Sequence, residues 1–323
     1  MHTLAGGTLS LALAGKGWSA ASKPLRGVFP IGQTPFTESD MLDLDCLQNE
    51  VRFCNRFKVH GFAWPQIASG WTTLAEKERL DGAEAILAAG KGGKTALVIG
   101  VQDKEGKIDR SIAYARHAAH NGADASISLP PDKAGDQAPD QAMIDCYKTI
   151  GHATDLPLFV QTQGDTSVEL IVEMARQVPT MKCVKDEAGN PLARVTEIRE
   201  RTHDTRAVFS GNGVRTMIDE MRLGFSGHCP FPVLSDFYAA AFDLWHAGKQ
   251  REAFDMFGRV QAFNSIVGAS GYLMVVRGIF KETTKTRGAA ATGGGRGPAP
   301  LDDAAKQAVR DAWDLFMKPH LRG

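Results

Sequence analysis

The chain has no excess of either charge sign: 37 lysines and arginines face 37 aspartates and glutamates over 323 residues. That balance gives no reason to expect nucleic acid or an anionic membrane as partner. It leaves room for a small anionic substrate, which needs only a local positive site. Cysteine is sparse. The five, at 46, 54, 146, 183 and 229, form no CxxC and no paired metal spacing, so they read as buried thiols rather than a disulfide framework. The nine histidines contain no HxxxH or HxH pair; His117 and His120, three apart on an expected helix, read as surface residues. No metal and no cofactor is expected. Long apolar runs are missing too. Residues 4–15 (LAGGTLSLALAG) are too short and glycine-rich to span a membrane. With Ser19-Ala-Ala21 behind them they look like the apolar and cleavage regions of an export signal, although only His2 precedes them where a basic region belongs. Residues 1–24 are therefore expected to be an export-signal-like or disordered segment. The sequence leaves two expected locations open, cytoplasmic, or periplasmic if residues 1–21 are the remainder of such a signal. The stretch 288–300 (GAAATGGGRGPAP) lacks the Gly-Lys-Ser/Thr ending of a phosphate-binding loop and reads as a flexible connection.

What the chain does have, from Gly27 onward, is alternation. Short apolar or β-branched runs at 28–31, 61–65, 96–100, 125–129, 158–161, 183–185, 207–210 and 227–230 read as strands. Amphipathic stretches at 44–57, 76–89, 111–120, 141–153, 167–177, 192–202 and 215–223 lie between them and read as helices. Thr73 is placed as an N-cap, and Asn121-Gly122 and His246-Ala-Gly248 as helix ends. Eight strands alternating with helices point to a (β/α)8 TIM barrel over residues 25–233. Helices at 235–247, 250–267 and 304–316 follow as a small C-terminal helical appendix within 234–323.

Lys185 carries the most chemical information. It closes the apolar run Met181-Lys-Cys-Val-Lys185 ahead of a small turn containing Gly189. On a barrel strand it would point its amine into the mouth, where desolvation makes an amine a nucleophile toward carbonyls. Asp186 and Glu187 follow directly. A carboxylate beside the amine would hold it protonated unless the strand pleat turns that carboxylate away.

Five stretches, in order along about residues 25–280, carry a family resemblance. They are Gly27-Val-Phe-Pro-Ile-Gly-Gln-Thr-Pro-Phe36, Thr73-Leu-x-x-x-Glu78, Ala153-Thr-Asp-Leu-Pro157, Val184-Lys-Asp-Glu-Ala-Gly-Asn190 and Phe209-Ser-Gly-Asn212. Together they resemble the dihydrodipicolinate synthase/N-acetylneuraminate lyase family, of which this chain looks like a divergent member. The resemblance implies a class I aldolase in which Lys185 forms a Schiff base with a 2-oxo acid such as pyruvate or a 2-keto-3-deoxy sugar acid. It implies a homo-oligomer, dimer or tetramer. It also implies a lyase acting on a carbon–carbon or carbon–oxygen bond, a dehydratase included.

The chain departs from the family pattern around that lysine. Where the family has Gly-Thr-Thr-Gly-Glu, this sequence has Gln66-Ile-Ala-Ser-Gly70, so Ser69, Gly70 and Thr72 become the candidate carboxylate binders. Where the family ends strand five with a proton-relaying tyrosine, this sequence has Gln161, an amide that can orient but cannot titrate near neutrality. Pro130-Pro131 replaces a Tyr-Tyr pair, and Thr166 stands near the place of the family's second-carboxylate arginine, which argues against a lysine-pathway synthase. His228 is a candidate acid/base, with a structural role as its alternative. Ser210 and Asn212 are candidate pocket residues, and Trp64 and Trp71 either line the pocket or pack in the core. The loss of the threonines and the tyrosine also supports an alternative, a non-catalytic small-molecule-binding barrel. A lysine-independent enzyme using the same pocket is the third reading.

Overall fold

The computed structural model describes residues 23–131, 140–211, 214–287 and 301–321. The export-like stretch up to residue 22, the Gly-rich stretch 288–300 and Asn212 lie outside the described residues. Eight parallel strands follow the chain: β1 (Gly27–Val28), β2 (Gly61–Trp64), β3 (Ala96–Gly100), β4 (Ala125–Ser128), β5 (Leu158–Gln161), β6 (Met181–Asp186), β7 (Ala207–Ser210) and β8 (Gly227–His228). Between them run α1 (Leu44–Arg56), α2 (Glu76–Ala89), α3 (Ile108–His120), α4 (Asp140–Ala153), α5 (Val168–Gln177), α6 (Pro191–Arg201) and α7 (Met217–Leu223).

The sheet order β1-β8-β7-β6-β5-β4-β3-β2 curls round on itself. An Ile31–Ala63 bridge closes the ring between β1 and β2, with Gly32 N donating to Ala63 O at 2.9 Å and Ala63 N to Pro30 O at 3.0 Å. This is the expected TIM barrel. β1 and β8 are shorter than the runs at 28–31 and 227–230 because Pro30 and Pro230 have no N–H for the ladder. Their paths stay paired all the same: Phe29 N reaches His228 O at 2.8 Å and Ile31 N reaches Pro230 O at 3.0 Å.

The starts of α1 and α5 are capped by side-chain oxygens. Asp43 accepts from Cys46 N (3.1 Å) at α1, and Ser167 accepts from Leu170 N (3.1 Å) at α5. Thr73 is not the cap of α2, because its hydroxyl is spent on Gly70 O at 2.8 Å. Glu78 reaches back to Ala75 N instead, at 2.9 Å. Asn121 ends α3 as expected. His117 is no isolated surface residue either: its Nε2 lies 2.8 Å from Glu84 on α2. All five cysteines are unpaired thiols, and all but Cys146 are buried.

Inward-facing residues fill the barrel. Phe29, Phe159 and Phe209 meet edge-to-face or tilted, with ring centroids 5.0–6.0 Å apart. Ile31, Val98, Ile127 and Cys183 complete the packing. Gly227 makes room for it: a Cβ there would sit 2.2 Å from the Phe209 ring.

After β8, α8 (Ser235–His246) packs on β1 and on α9 (Gln250–Ile266). It therefore covers the outside of the barrel beside β1. α10 (Leu273–Val276) and α11 (Asp303–Ala312), the latter continuing into a π-helical turn at Trp313–Met317, complete the chain. No described helix is long and apolar enough to cross a membrane.

One buried acid makes stability depend on pH. Glu50 of α1 is 1% exposed; one oxygen accepts from Gln33 N at 3.0 Å and the other has no hydrogen-bond partner among the described residues. Burial pushes its carboxyl well above the usual range. The unfolded chain thus loses this proton first as pH rises. Stability should fall by about 1.4 kcal/mol per pH unit from the ordinary glutamate range up to the raised value. Glu50→Gln, which keeps the shape and cannot ionise, should remove that slope in urea unfolding followed across pH 4–8.

Candidate active site

β6 delivers Lys185 to the C-terminal end of the barrel, the face at which barrel enzymes carry their chemistry. Side chains alternate along a strand, so Cys183, packed inside, sets Lys185 on the same inward face and Asp186 on the outer one. Lys185 is 4% exposed, and its Nζ lies 3.0 Å from Glu187 Oε1. The other Glu187 oxygen accepts from Gln161 Nε2 at the end of β5, which is paired in register with Lys185.

Asp186 turns away. Its Oδ1 accepts from the Thr162 hydroxyl at 2.6 Å, and its Oδ2 pairs with Arg194 Nε at 3.1 Å, an ion pair without good hydrogen-bond geometry. Burial raises the Asp186 carboxyl, while Thr162 and Arg194 pull it back. Arg194 is further tied to Thr166 O at 2.6 Å, so it serves the loop behind the lysine. Cys229 also lies in the barrel interior. Burial pushes its thiol up to about 12, with Lys185 pulling in the opposite direction, and it therefore stays a thiol near neutral pH. Gly211, just past β7, closes against the pair: a Cβ there would sit 2.0 Å from Glu187 Oε1 and 2.6 Å from Lys185 Cε.

The structure thus brings Lys185 and Gln161 together and adds Glu187, Thr162 and Gly211, which were not among the expected site residues. The two-residue strand period was the available signal for Glu187, since positions 185 and 187 share a face.

The remaining expected residues go elsewhere. His228 is fully buried on the outer side of β8, its Nδ1 2.7 Å from Glu220 of α7 and its ring 5.9 Å from that of Phe242 on α8. Burial works to raise the Glu220 carboxyl, but the bonds from His228 and Thr216 outweigh it and hold the group below its ordinary value. Ser210 follows inward-facing Phe209 and so points to this outer side as well, toward the same carboxylate. Neither faces Lys185. Ser69 is committed to backbone groups: its hydroxyl donates to Gly32 O, in the loop after β1, at 2.6 Å and accepts from Gln66 N at 2.9 Å. Gly70 is the left-handed residue between two 3-10 turns, its N–H bonded to Ile67 O, and Thr72 is exposed. Trp64 is core, donating from Nε1 to Thr34 Oγ1 at 3.0 Å, and Trp71 is half-buried near Arg79.

A model of the dihydrodipicolinate synthetase family matches residues 24–313. The chain belongs to this family. A 4-hydroxy-tetrahydrodipicolinate synthase of Methanosarcina mazei is 28% identical over 184 residues, 55% of this chain and 60% of that relative's length. Two solved structures share the fold. One is a putative dihydrodipicolinate synthase family protein from Coccidioides immitis (TM-score 0.76, 18% identity, 94% of this chain and 100% of that one). The other is the N-acetylneuraminate lyase of Mycoplasma synoviae (TM-score 0.75, 15% identity, 90% of this chain and 98% of that one). Within the dihydrodipicolinate synthetase family, this member's candidate centre is a buried amine, carboxylate and amide at the barrel mouth.

Proposed function

We propose that the chain is a lyase or aldolase, a dehydratase included, that holds a 2-oxo acid such as pyruvate or a 2-keto-3-deoxy sugar acid as an imine on Lys185. The observation that carries this reading is the amine itself, 4% exposed at the end of β6 on the inward face of the barrel. In its neutral form the amine adds to the C2 carbonyl. Loss of water then leaves a protonated imine, whose positive charge draws electrons from a breaking carbon–carbon or carbon–oxygen bond. The commitment of the Ser69 hydroxyl to backbone groups of Gly32 and Gln66 favours a second reading, a barrel that binds a small molecule without turning it over.

Borohydride trapping separates the two. The protein from about Ser22 onward, incubated with pyruvate and a panel of other 2-oxo acids and then reduced, should gain a stable adduct on Lys185 by peptide mass. Lys185→Ala should gain none. A folded protein that forms no adduct across the panel supports the binding barrel.

A further inference from the structure

We propose that Glu187 is the proton carrier of the Lys185 site. This rests on the imine reading above. Besides the nitrogen-to-oxygen transfer within the adduct, that chemistry needs three proton movements that a nearby side chain can serve: the ammonium must lose a proton before it attacks, the carbinolamine hydroxyl must gain one before it leaves as water, and the carbon next to the imine must lose or gain one. Glu187 Oε1, 3.0 Å from Nζ, is already at hydrogen-bond distance for the first.

The other candidates are elsewhere or do not titrate. Gln161 is an amide. Asp186 is turned outward to Thr162 and Arg194, and His228 lies behind β8 with Glu220. Cys229 is held as a thiol by burial.

Three neighbours fix the carboxylate in place. Gln161 donates to Oε2, leaving Oε1 for the amine. Thr162 Oγ1 accepts from Glu187 N at 3.1 Å while donating to Asp186 Oδ1, so one hydroxyl sorts two adjacent acids onto opposite faces. Gly211 leaves the space the pair occupies. Glu187 is not sealed in, its side chain being 22% exposed, so a substrate entering at the mouth meets it.

The Glu187 carboxylate takes a proton from the Lys185 ammonium, and the neutral amine forms a C–N bond to the substrate carbonyl carbon as the C=O π pair moves onto oxygen. That oxygen takes a proton from the attacking nitrogen and becomes the carbinolamine hydroxyl. The protonated Glu187 gives its proton to the carbinolamine hydroxyl, which departs as water as the C=N bond forms. The carboxylate, regenerated, removes a proton from the carbon next to the iminium, and the electron pair of that C–H bond moves into the enamine. A resting ion pair that only neutralises Lys185 would have the same geometry and do none of this.

Pyruvate serves as probe for both arms of the test. Adduct formation is read by borohydride reduction and mass, and enamine formation by exchange of the pyruvate methyl protons in D2O, followed by NMR. Wild type should form the adduct and exchange. Glu187→Gln, with its fold checked by circular dichroism, should still form adduct on long incubation while exchange falls by about 10²-fold or more. Formate added to Glu187→Ala should partly restore exchange, which a purely structural role would not allow; if that variant does not fold, Glu187→Gln decides alone. Adduct with exchange near the wild-type rate in Glu187→Gln overturns the role of Glu187 and leaves the imine reading standing. So does faster adduct formation with unchanged exchange, the mark of a residue that merely quiets the amine. No adduct in wild type overturns both.

Discussion

Arg277→Ala should destabilise the protein by about 3–5 kcal/mol in urea unfolding. The Arg277 side chain is 3% exposed and grips Asp236, itself 7% exposed, through two bonds of 2.8 Å. It also donates to Val233 O at 2.6 Å. The guanidinium lies 4.6 Å from the Phe53 ring and 4.4 Å from that of Trp313. One side chain therefore ties together α1, the start of α8, the end of α10 and the C-terminal π-helical turn. Its removal costs more than the lost attraction, because Asp236 stays behind as a buried charge without its partner. Asp236→Leu combined with Arg277→Met should accordingly lose less than either single change. A double variant no better than the sum of the singles would show that the packing around Arg277, and not the pair, holds the appendix on.

Gly211→Ala should leave stability within about 1 kcal/mol of wild type and lower imine-dependent turnover by about 10²-fold. The new methyl would meet the far ends of two long side chains, Glu187 Oε1 at 2.0 Å and Lys185 Cε at 2.6 Å. Such ends can move aside at little cost to the fold, but on the proposed imine chemistry they are the reacting groups, and misplacement by about 1 Å is what catalysis tolerates least. Thermal melts paired with the rate of borohydride-trappable adduct formation read both quantities. A variant that is badly destabilised, or that reacts as fast as wild type, contradicts the close packing of Gly211 on the pair.

Most of the barrel was legible because its elements obey local periodicity. The expected helix at 76–89 coincides with α2, and the strand at 96–100 with β3, a run buried on both faces as parallel barrel strands are. The shortfalls have physical causes. Prolines 30 and 230 cut the ladders of β1 and β8, and Thr73 looked like a cap but is used by the turn before it. At the site, Lys185 and Gln161 could be read because each lies in the last two residues of its strand. Ser210 and His228 could not be placed by strand ends alone. They lie one residue out of phase with inward-facing Phe209 and Gly227, and that phase decides which side of the wall a side chain occupies. The fate of Ser69 depends on a carbonyl 37 positions away, at Gly32, a contact no local pattern carries.

The three phenyl rings of Phe29, Phe159 and Phe209 stopper the barrel below Lys185. A barrel so plugged is a cup with a single rim. A molecule that reaches the amine must leave the way it came, and on the proposed imine chemistry two fragments born there must queue. The piece then still tethered to the lysine would go last, so the first piece to escape should be the one that, added back, drives the reaction in reverse.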